Sequence, residues 1–468
     1  MKKRILSGVF AFALSALCLL SGCQPTPDKP PVVNKNDGQL EEKMQATPAP
    51  VKPYEAPADW NETAEGEKLN IVIDTDVTLP DVNAYPVVKL EPTAYTQQQI
   101  DSMVHYFVGD KPLYLPPVKT KADYDEEIIE AKRPPENEGD SFIIGWDPSE
   151  RVKELEEKRA AAPDDSPVIS ADTTLTYKKD YVTGEDVTQY GKSYLSVCFK
   201  NEDGGEGTVM ANNYFKDGEF ILTPSFTYRR SDAGFVSEST YRNAIDGGES
   251  EDDCGWKGAG ALFDKVAVNE QNAKARAEQV IGDLNIKGLM LVSCEKAVSP
   301  NMPEKSGYEL EYTRQSGGIA SYWFGGGRYA EGEAPPAYSP PFGEELLRID
   351  ISKDGIEVFS WWGYSHEVEK VSDNVALLPF DEVKQKLKNQ IFYKKSFDDL
   401  ADTVSVISAE LRMGYIGVKE KRSQALLVPV WVFETTLSFN DQGSSVQFPD
   451  DTYVLNAIDG GVIEAARY

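Results

Sequence analysis

Apolar residues recur along this chain with two different periods, and these periods predict where helices give way to strands. A period of about 3.6 residues over 95–108 predicts an amphipathic helix. Thr96 is its expected N-cap, and Gln99 stands where a capping box places its partner. The apolar face of this helix consists of Ile100, Met103, Val104 and Phe107. Shorter helical patterns follow near 124–132 and 149–162, and strands are predicted before it at 69–73 and 87–90.

The second half of the chain repeats one order of elements, a helix followed by several strands. Helices are predicted over 269–284 and 380–391. The strands expected after them are 289–295, 308–314, 319–324, 346–351 and 356–361, and then 404–418, 426–436 and 453–458. Asp354-Gly355 predicts a hairpin turn between two of these strands. One helix covering one face of each antiparallel sheet gives an α+β fold.

Pro429 interrupts the otherwise strong strand pattern over 426–433. Proline has no N–H to give to a neighbouring strand. We therefore expect this strand to be an edge strand, or to carry a bulge, at residue 429.

The first 23 residues have the pattern of a secretory signal. Met1-Lys2-Lys3-Arg4 is basic, residues 5–20 are apolar, and Leu20-Ser21-Gly22-Cys23 follows. This combination resembles the signal peptides of bacterial lipoproteins, which implies removal of residues 1–22 and attachment of a lipid to Cys23. The apolar run is shorter than the ~20 residues that a spanning helix needs. We therefore expect a chain held on the extracytoplasmic face of the cell membrane by its lipid.

The rest of the chain is expected to divide into a tether and three folded units. Residues 24–60 contain eight prolines among polar residues, a composition typical of segments that bury no core. The expected division is a signal peptide at 1–22, a Pro-rich disordered tether at 23–66, an N-terminal α+β domain at 67–260, and two modules at 261–363 and 364–468.

The chain is strongly acidic, with 77 Asp and Glu residues against 48 Lys and Arg and a net charge of −29. The predicted signal holds three basic residues and no acidic one, so its removal leaves a net charge of −32. Such a chain is repelled by nucleic acid and by anionic lipid headgroups. We therefore expect no nucleic-acid partner.

The last strands carry a resemblance. The segments LLVPVWVFE (426–434) and TYVLNAIDGGVIE (452–464) resemble the closing strands of PepSY-type domains. Similar strands end the YycI-like regulators, which restrain a sensor kinase in Gram-positive bacteria but have a spanning helix. With the opening IVIDTDVTLPDVNAYPVVKLEPTAYTQQQID (71–101), this ending resembles an uncharacterised family of Firmicutes lipoproteins. The resemblance implies tandem PepSY-like or cystatin-like modules at the C-terminal end, and a role in binding or regulating an envelope protein.

Groups that perform catalysis are sparse in the sequence. The chain has two histidines, His105 and His366. His366-Glu367 begins like a zinc-binding His-Glu-x-x-His motif but lacks the second histidine. The glycine-rich segment 325–328 lacks the Lys-Ser/Thr that follows a phosphate-binding loop. We therefore expect a protein that is not an enzyme, with no catalytic residue, no metal ion and no cofactor.

The acidic segment 246–253 is the best candidate for calcium, which prefers oxygen ligands. Its spacing does not follow the EF-hand loop, so a solvated acidic loop is the favoured interpretation. Cys198, Cys254 and Cys294 cannot all pair with one another, which does not fit a disulfide framework.

Trp361, Trp362 and Tyr364 form the densest aromatic cluster, and they are the candidate binding residues. Exposed rings stack on sugars or peptides, whereas packing in the core is the other interpretation. The predicted function is non-catalytic binding or regulation of another envelope protein. The alternative is capture of an extracellular peptide or wall glycan. A concave aromatic-lined pocket would favour the ligand, and an open sheet edge would favour the protein partner.

Overall fold

The structure is a computed structural model that describes most of the chain from residue 49 onward. The described residues are Leu40, 43–44, 49–66, 69–133, 148–179, 186–188, 191–213, 215–216, 219–220, 223–246, 248–323, 340–395, 403–418, 421–441 and 444–464. The predicted signal peptide, Cys23 and the glycine-rich segment 325–328 lie outside them.

The secondary structure contains the helices that the sequence predicts, and it adds the helix Glu238–Asp246, the strand Ser365–Ser372 and several short strands. The helices are α1 (Gln97–Val108), α2 (Lys121–Ala131), α3 (Pro148–Ala161), α4 (Glu238–Asp246), α5 (Glu270–Asp283) and α6 (Phe380–Lys395). The first strands are β1 (Asp59–Glu65), β2 (Asn70–Thr78), β3 (Val87–Pro92), β4 (Leu113–Tyr114), β5 (Ser170–Ala171), β6 (Lys178–Lys179), β7 (Asp186–Val187), β8 (Tyr194–Lys200), β9 (Glu206–Asn212), β10 (Phe215–Lys216), β11 (Glu219–Phe220) and β12 (Ser225–Arg229). The later strands are β13 (Val236–Ser237), β14 (Leu289–Val298), β15 (Gly307–Ser316), β16 (Ile319–Ala320), β17 (Leu346–Ser352), β18 (Gly355–Trp362), β19 (Ser365–Ser372), β20 (Thr403–Val418), β21 (Lys421–Asp441), β22 (Ser444–Asn456) and β23 (Val462–Ile463).

Strands from both ends of the described chain form one sheet, called here the terminal sheet. Its order is β1-β2-β20-β21-β22-β23, and β3 pairs with both β21 and β19. β2 and β20 run parallel, with Ile71 opposite Val404. The buried apolar residues of α6 share one hydrophobic cluster with this sheet, and they are Phe380, Val383, Leu387 and Ile391.

The remaining long strands form a second sheet, called here the central sheet, in the order β13-β14-β15-β17-β18-β12-β9-β8-β4-β5. α1 and α5 share one hydrophobic cluster with the strand residues of this sheet. Thr96 caps α1 through the predicted capping box with Gln99, and Asn269 caps α5. The fold is therefore α+β, with helices packed on large antiparallel sheets.

The sheets divide the chain differently from the predicted boundaries. The boundary at 363/364 coincides with the passage from β18 in the central sheet to β19 in the terminal sheet. The boundary at 260/261 falls inside the central sheet, because β12 pairs with β18 and places Phe226 opposite Trp361. β2 and β3, which the sequence assigned to the N-terminal domain, lie in the terminal sheet beside strands from the last hundred residues.

Pro429 interrupts the pairing of β21 on one side, which confirms the expectation from its missing N–H. On the other side it lies opposite Met413 of β20. β3 pairs with β21 as far as Leu427, and β22 takes over at Val430. The Pro429 carbonyl accepts a hydrogen bond from the Ala457 N–H at 2.9 Å. The proline nitrogen points to this same side of the strand, so it faces the change of partner.

Residues 49–66 belong to the fold, which corrects the predicted tether of 23–66. Residues 49–57, called here the strap, lie against the terminal sheet. The Tyr54 hydroxyl donates to the Leu378 carbonyl at 2.7 Å, and its ring centroid lies 5.8 Å from that of Trp431. Trp60 in β1 is buried against Phe380. The proline-rich composition does not indicate that Tyr54 and Trp60 pack against the sheet, because each of them is isolated in the sequence.

Candidate functional site

A cleft of about 690 Å³ opens beside the first turns of α1. Its walls come from α1, from the turn between α5 and β14, from β15 and β18, and from the start of β19. The side chains that matter for its chemistry are Gln99, Tyr106, Ile286, Arg314, Trp361 and Tyr364. Its volume lies in the range of about 300–1,000 Å³ that small-molecule sites occupy.

Aromatic rings form one side of the cleft. Trp361 is 6% exposed and belongs to the hydrophobic cluster under α1. The Tyr364 ring centroid lies 4.8 Å from that of Trp361, and it stacks on Tyr95 at 5.1 Å with an angle of 18°. The Tyr364 hydroxyl accepts a hydrogen bond from Nε2 of Gln99 at 3.1 Å. These contacts fix the orientation of Tyr364 at the cleft before any ligand arrives.

Gly363 makes this arrangement possible. Its φ is +68°, in the left-handed region that favours glycine. A Cβ at this position would also lie 2.3 Å from the Glu344 carbonyl oxygen. The chain can therefore turn from β18 to β19 against the backbone of residues 344–345, which places Tyr364 beside Trp361.

A buried carboxylate lies beneath the aromatic side of the cleft. Glu345 is fully buried. Its Oε1 accepts from Nε1 of Trp361 at 3.0 Å, and its Oε2 accepts from the Ser365 hydroxyl at 2.9 Å. Nη1 of Arg314 lies 3.4 Å from Oε2. Burial raises the pKa of Glu345 to about 7, although Arg314 opposes this rise. Since Ser365 belongs to the terminal sheet, Glu345 joins the two sheets at the cleft.

Arg314 also lines a second cavity of about 520 Å³, together with Gly288, Gly317 and Lys370. Its side chain is 12% exposed. The Arg314 side chain therefore borders two cavities and is largely removed from bulk solvent.

Polar side chains form the rim of the cleft. His105 and His366 both line it. Nδ1 of His366 shares a hydrogen bond with the Thr93 hydroxyl, and the Tyr106 hydroxyl donates to Oδ2 of Asp283 at 3.2 Å. The sequence does not indicate that His105 and His366 line one cleft, because they are distant in the chain and follow no motif.

The predicted aromatic residues separate in the structure. Trp361 and Tyr364 line the cleft, whereas Trp362 lies on the other face of β18 and is half-buried opposite Leu346 and Ser225. Alternation along a strand explains this separation.

The Glu251 carboxylate, in the acidic segment 246–253, is occupied by neighbouring groups of the protein. Glu251 accepts hydrogen bonds from the N–H groups of Gly258 and Gly260, at 2.7 and 2.9 Å, and from the Tyr241 hydroxyl at 2.8 Å. Within the described ranges, no group of three or more His, Cys, Asp or Glu side chains is arranged to hold a metal ion.

The three cysteines of the described residues are free. Burial raises the pKa of the Cys198 thiol to about 11. A hydrogen bond to Glu249 raises that of Cys254 to about 11 as well. These thiols are therefore protonated at neutral pH and poor nucleophiles.

A second group of buried charges lies on the opposite face of the central sheet. Arg348 pairs with Asp350 through two hydrogen bonds of 3.0 Å and also contacts Glu309. Burial, together with the neighbouring Asp350, raises the pKa of Glu309 to about 8. This group is compact and directs its polar atoms at one another, so the cleft is the better candidate for a functional site.

Comparisons with known proteins add little to this geometry. No family model matches the chain, and no curated protein matches it. One similar solved structure is that of an uncharacterized protein from Eubacterium rectale ATCC 33656, with 13% sequence identity and a TM-score of 0.37. The match covers 91% of this chain and 98% of the other. A likeness this weak supports no argument about function.

Among the described residues, no helix combines the length and the apolar character needed to cross a bilayer.

Proposed function

We propose that this chain is a lipid-anchored protein of the extracytoplasmic membrane face that binds a ligand in the cleft, without catalysis. The Leu20-Ser21-Gly22-Cys23 motif supports the anchor and the location. The observation that carries the binding function is the cleft itself, which is concave and lined by Trp361 and Tyr364. A peptide or a wall glycan fragment fits its size and its mixture of aromatic and amide side chains.

The polar groups beneath the cleft support binding rather than catalysis. The Ser365 hydroxyl donates to Glu345 and is 1% exposed, so a substrate does not reach it as a nucleophile. Glu345 itself is enclosed by Trp361, Ser365 and Arg314. These contacts make the site rigid, which suits recognition of a ligand.

Binding of another envelope protein is the second candidate function, and β19 is the observation that favours it. In the described part of the chain, β19 pairs with β3 alone. Its residues from His366 to Lys370 are exposed. An unpaired edge can add a strand from a partner. In this second function, each unit of one helix followed by several strands is a PepSY-like module, which agrees with the resemblance of the closing strands to PepSY-type domains.

The ligand function is tested with the full chain purified in detergent, by calorimetric titration with fragments of cell-wall glycan and with short peptides. Tyr364→Ala is expected to lower affinity at least tenfold, because it removes the ring that closes the cleft. Tyr393→Ala is the matched control, since Tyr393 is an exposed residue of α6. This helix packs on the terminal sheet, away from the cleft. Equal binding by the wild type and Tyr364→Ala would overturn the assignment of the cleft.

The anchor is tested separately by mass spectrometry of the mature N-terminus. A lipid on Cys23 is expected, and Cys23→Ala should leave an unlipidated precursor. An acyl-free N-terminus at another residue would contradict this part of the proposal.

A further inference from the structure

The guanidinium of Arg314 has donors that its contacts do not use. A guanidinium offers five N–H donors. In the described part of the chain, its side chain has one charged contact, from Nη1 to Oε2 of Glu345 at 3.4 Å. The same side chain is 12% exposed. Polar groups removed from water are costly unless they find acceptors, and the cleft lies where an acceptor could approach.

The charges around the cleft limit what that acceptor can be. Among the described residues that line it, Arg314 and Lys287 are cationic and Asp283 is the one carboxylate, in a chain of net charge −29. Glu345 adds a second carboxylate, 3.4 Å from Nη1 of Arg314. Two cations thus offset two carboxylates near the cleft, so one added negative charge is repelled less than a dianion such as a phosphate monoester.

We propose that the cleft holds its ligand by a carboxylate group that pairs with Arg314, while the body of the ligand packs against Tyr364 and Tyr106. The planar guanidinium matches a carboxylate with two parallel hydrogen bonds. Tyr106 lines the rim and is 37% exposed, so part of its side chain is open to a ligand. This inference rests on the proposed function, because it names the chemical class of ligand for the same cleft. The carboxylate belongs either to a sugar acid or to the C-terminus of a peptide.

The ligand carboxylate and Glu345 then compete for Arg314. The groups that face Glu345 are Arg314 from β15, Trp361 from β18, Ser365 from β19, Tyr415 from β20 and Tyr95 ahead of α1. Burial raises the pKa of both tyrosines, so they stay neutral. Glu345, whose pKa burial raises to about 7, is charged at pH 8 and protonated at pH 6. Arg314 is therefore freer at pH 6, and the ligand binds more tightly there.

The test uses two pairs of probes that differ by one carboxylate. The first pair is N-acetylmuramic acid and its carboxamide, and the second is N-acetyl-alanyl-alanine and its C-terminal amide. With the full chain in detergent, calorimetry is expected to show at least tenfold tighter binding of the acid in one pair. The pair that discriminates identifies the source of the carboxylate.

Variants separate this proposal from a general loss of folding. Arg314→Gln should abolish the preference for the acid, and Arg314→Lys should retain part of it, because a charge remains without the planar fork. Arg229→Gln is the control, since Arg229 is exposed at the end of β12. Affinity for the acid should rise at least threefold from pH 8 to pH 6. Glu345→Gln should remove that dependence.

Two results would overturn the inference, and they differ in what else they overturn. If neutral and acidic probes bind equally and Tyr364→Ala weakens both, the carboxylate assignment is wrong and the cleft function stands. If none of the four probes binds the wild type, both the carboxylate assignment and the ligand function of the cleft fail.

Discussion

The indole Nε1 of Trp361 donates a hydrogen bond to Oε1 of Glu345 at 3.0 Å. Trp361 belongs to β18 of the central sheet, and the other oxygen of Glu345 accepts from Ser365 at the start of β19 in the terminal sheet. One buried carboxylate thus connects the cleft wall to the joint between the sheets. A change in its charge is expected to affect both stability and binding.

Glu345 should make stability depend on pH. Its pKa in the folded chain is about 7, raised by burial from an ordinary value of 4.5. The folded state therefore binds more protons than the unfolded state between these values, so the free energy of unfolding falls as the pH rises through this window. The shift corresponds to about 3 kcal/mol.

The variant Glu345→Gln isolates this contribution, because Gln does not titrate. Urea unfolding at pH 4.5 and pH 8 should show the wild type losing about 3 kcal/mol relative to the variant. Glu309, whose pKa is also raised, acts equally in both proteins and cancels. Parallel pH profiles for the two proteins would contradict this role of Glu345.

The strap is expected to contribute to stability through Tyr54. Tyr54→Ala removes a ring that contacts Tyr85 and Trp431 and a hydroxyl bonded to Leu378. We expect a loss of about 2–3 kcal/mol in the free energy of unfolding, less than for a fully buried aromatic residue. Tyr54→Phe keeps the ring and should lose about 1 kcal/mol. Unchanged urea midpoints for both variants would show that residues 49–57 behave as the linker that their composition indicates.

Local signals in the sequence were enough to predict most of the long helices and strands of this fold. The cap at Thr96 depends on residues three positions apart, and the interruption at Pro429 depends on one missing N–H. The parallel pairing of Ile71 with Val404 could not be predicted in this way. It joins segments that are distant in the chain, and no periodicity within either segment identifies its partner. The predicted boundary at 260/261 divides the central sheet for the same reason, because the pairing of β12 with β18 joins distant segments.

The cleft was predictable only where its residues cluster in sequence. Trp361 and Tyr364 were predicted as candidate binding residues because they lie close together in one aromatic segment. Arg314 and Glu345 look like ordinary polar positions at the ends of strands, and their importance arises from burial and from each other. His105 and His366 line the same cleft only because α1 lies beside the start of β19. Such pairs leave no signal in a single sequence.

Two glycines offer a contrast between a crowded strand and an open helix. Gly307 lies in β15 between β14 and β17, and a Cβ there would meet the Ile351 carbonyl oxygen at 1.8 Å. Gly307→Ala should lower the free energy of unfolding by about 3 kcal/mol.

Gly282 lies in α5 with no neighbouring atom within 4 Å of its Cβ position. Gly282→Ala should raise stability by about 0.5–1 kcal/mol. Thermal unfolding measures both changes, and a similar effect of the two variants would contradict the contact at Gly307.

Gly363 is expected to permit the backbone turn that places Tyr364 in the cleft. Both Gly363 (φ +68°) and Gly204 (φ +84°) have positive φ, so an alanine costs about 1–2 kcal/mol of stability at either position. A Cβ at Gly204 meets no atom within 4 Å, whereas one at Gly363 lies 2.3 Å from the Glu344 carbonyl oxygen. Gly363→Ala must therefore shift the turn that carries Tyr364. We expect it to weaken binding in the cleft at least tenfold, while Gly204→Ala loses stability and binds normally. Calorimetric titration of both variants with the same probe measures the difference, and equal affinities would show that the cleft does not depend on this turn.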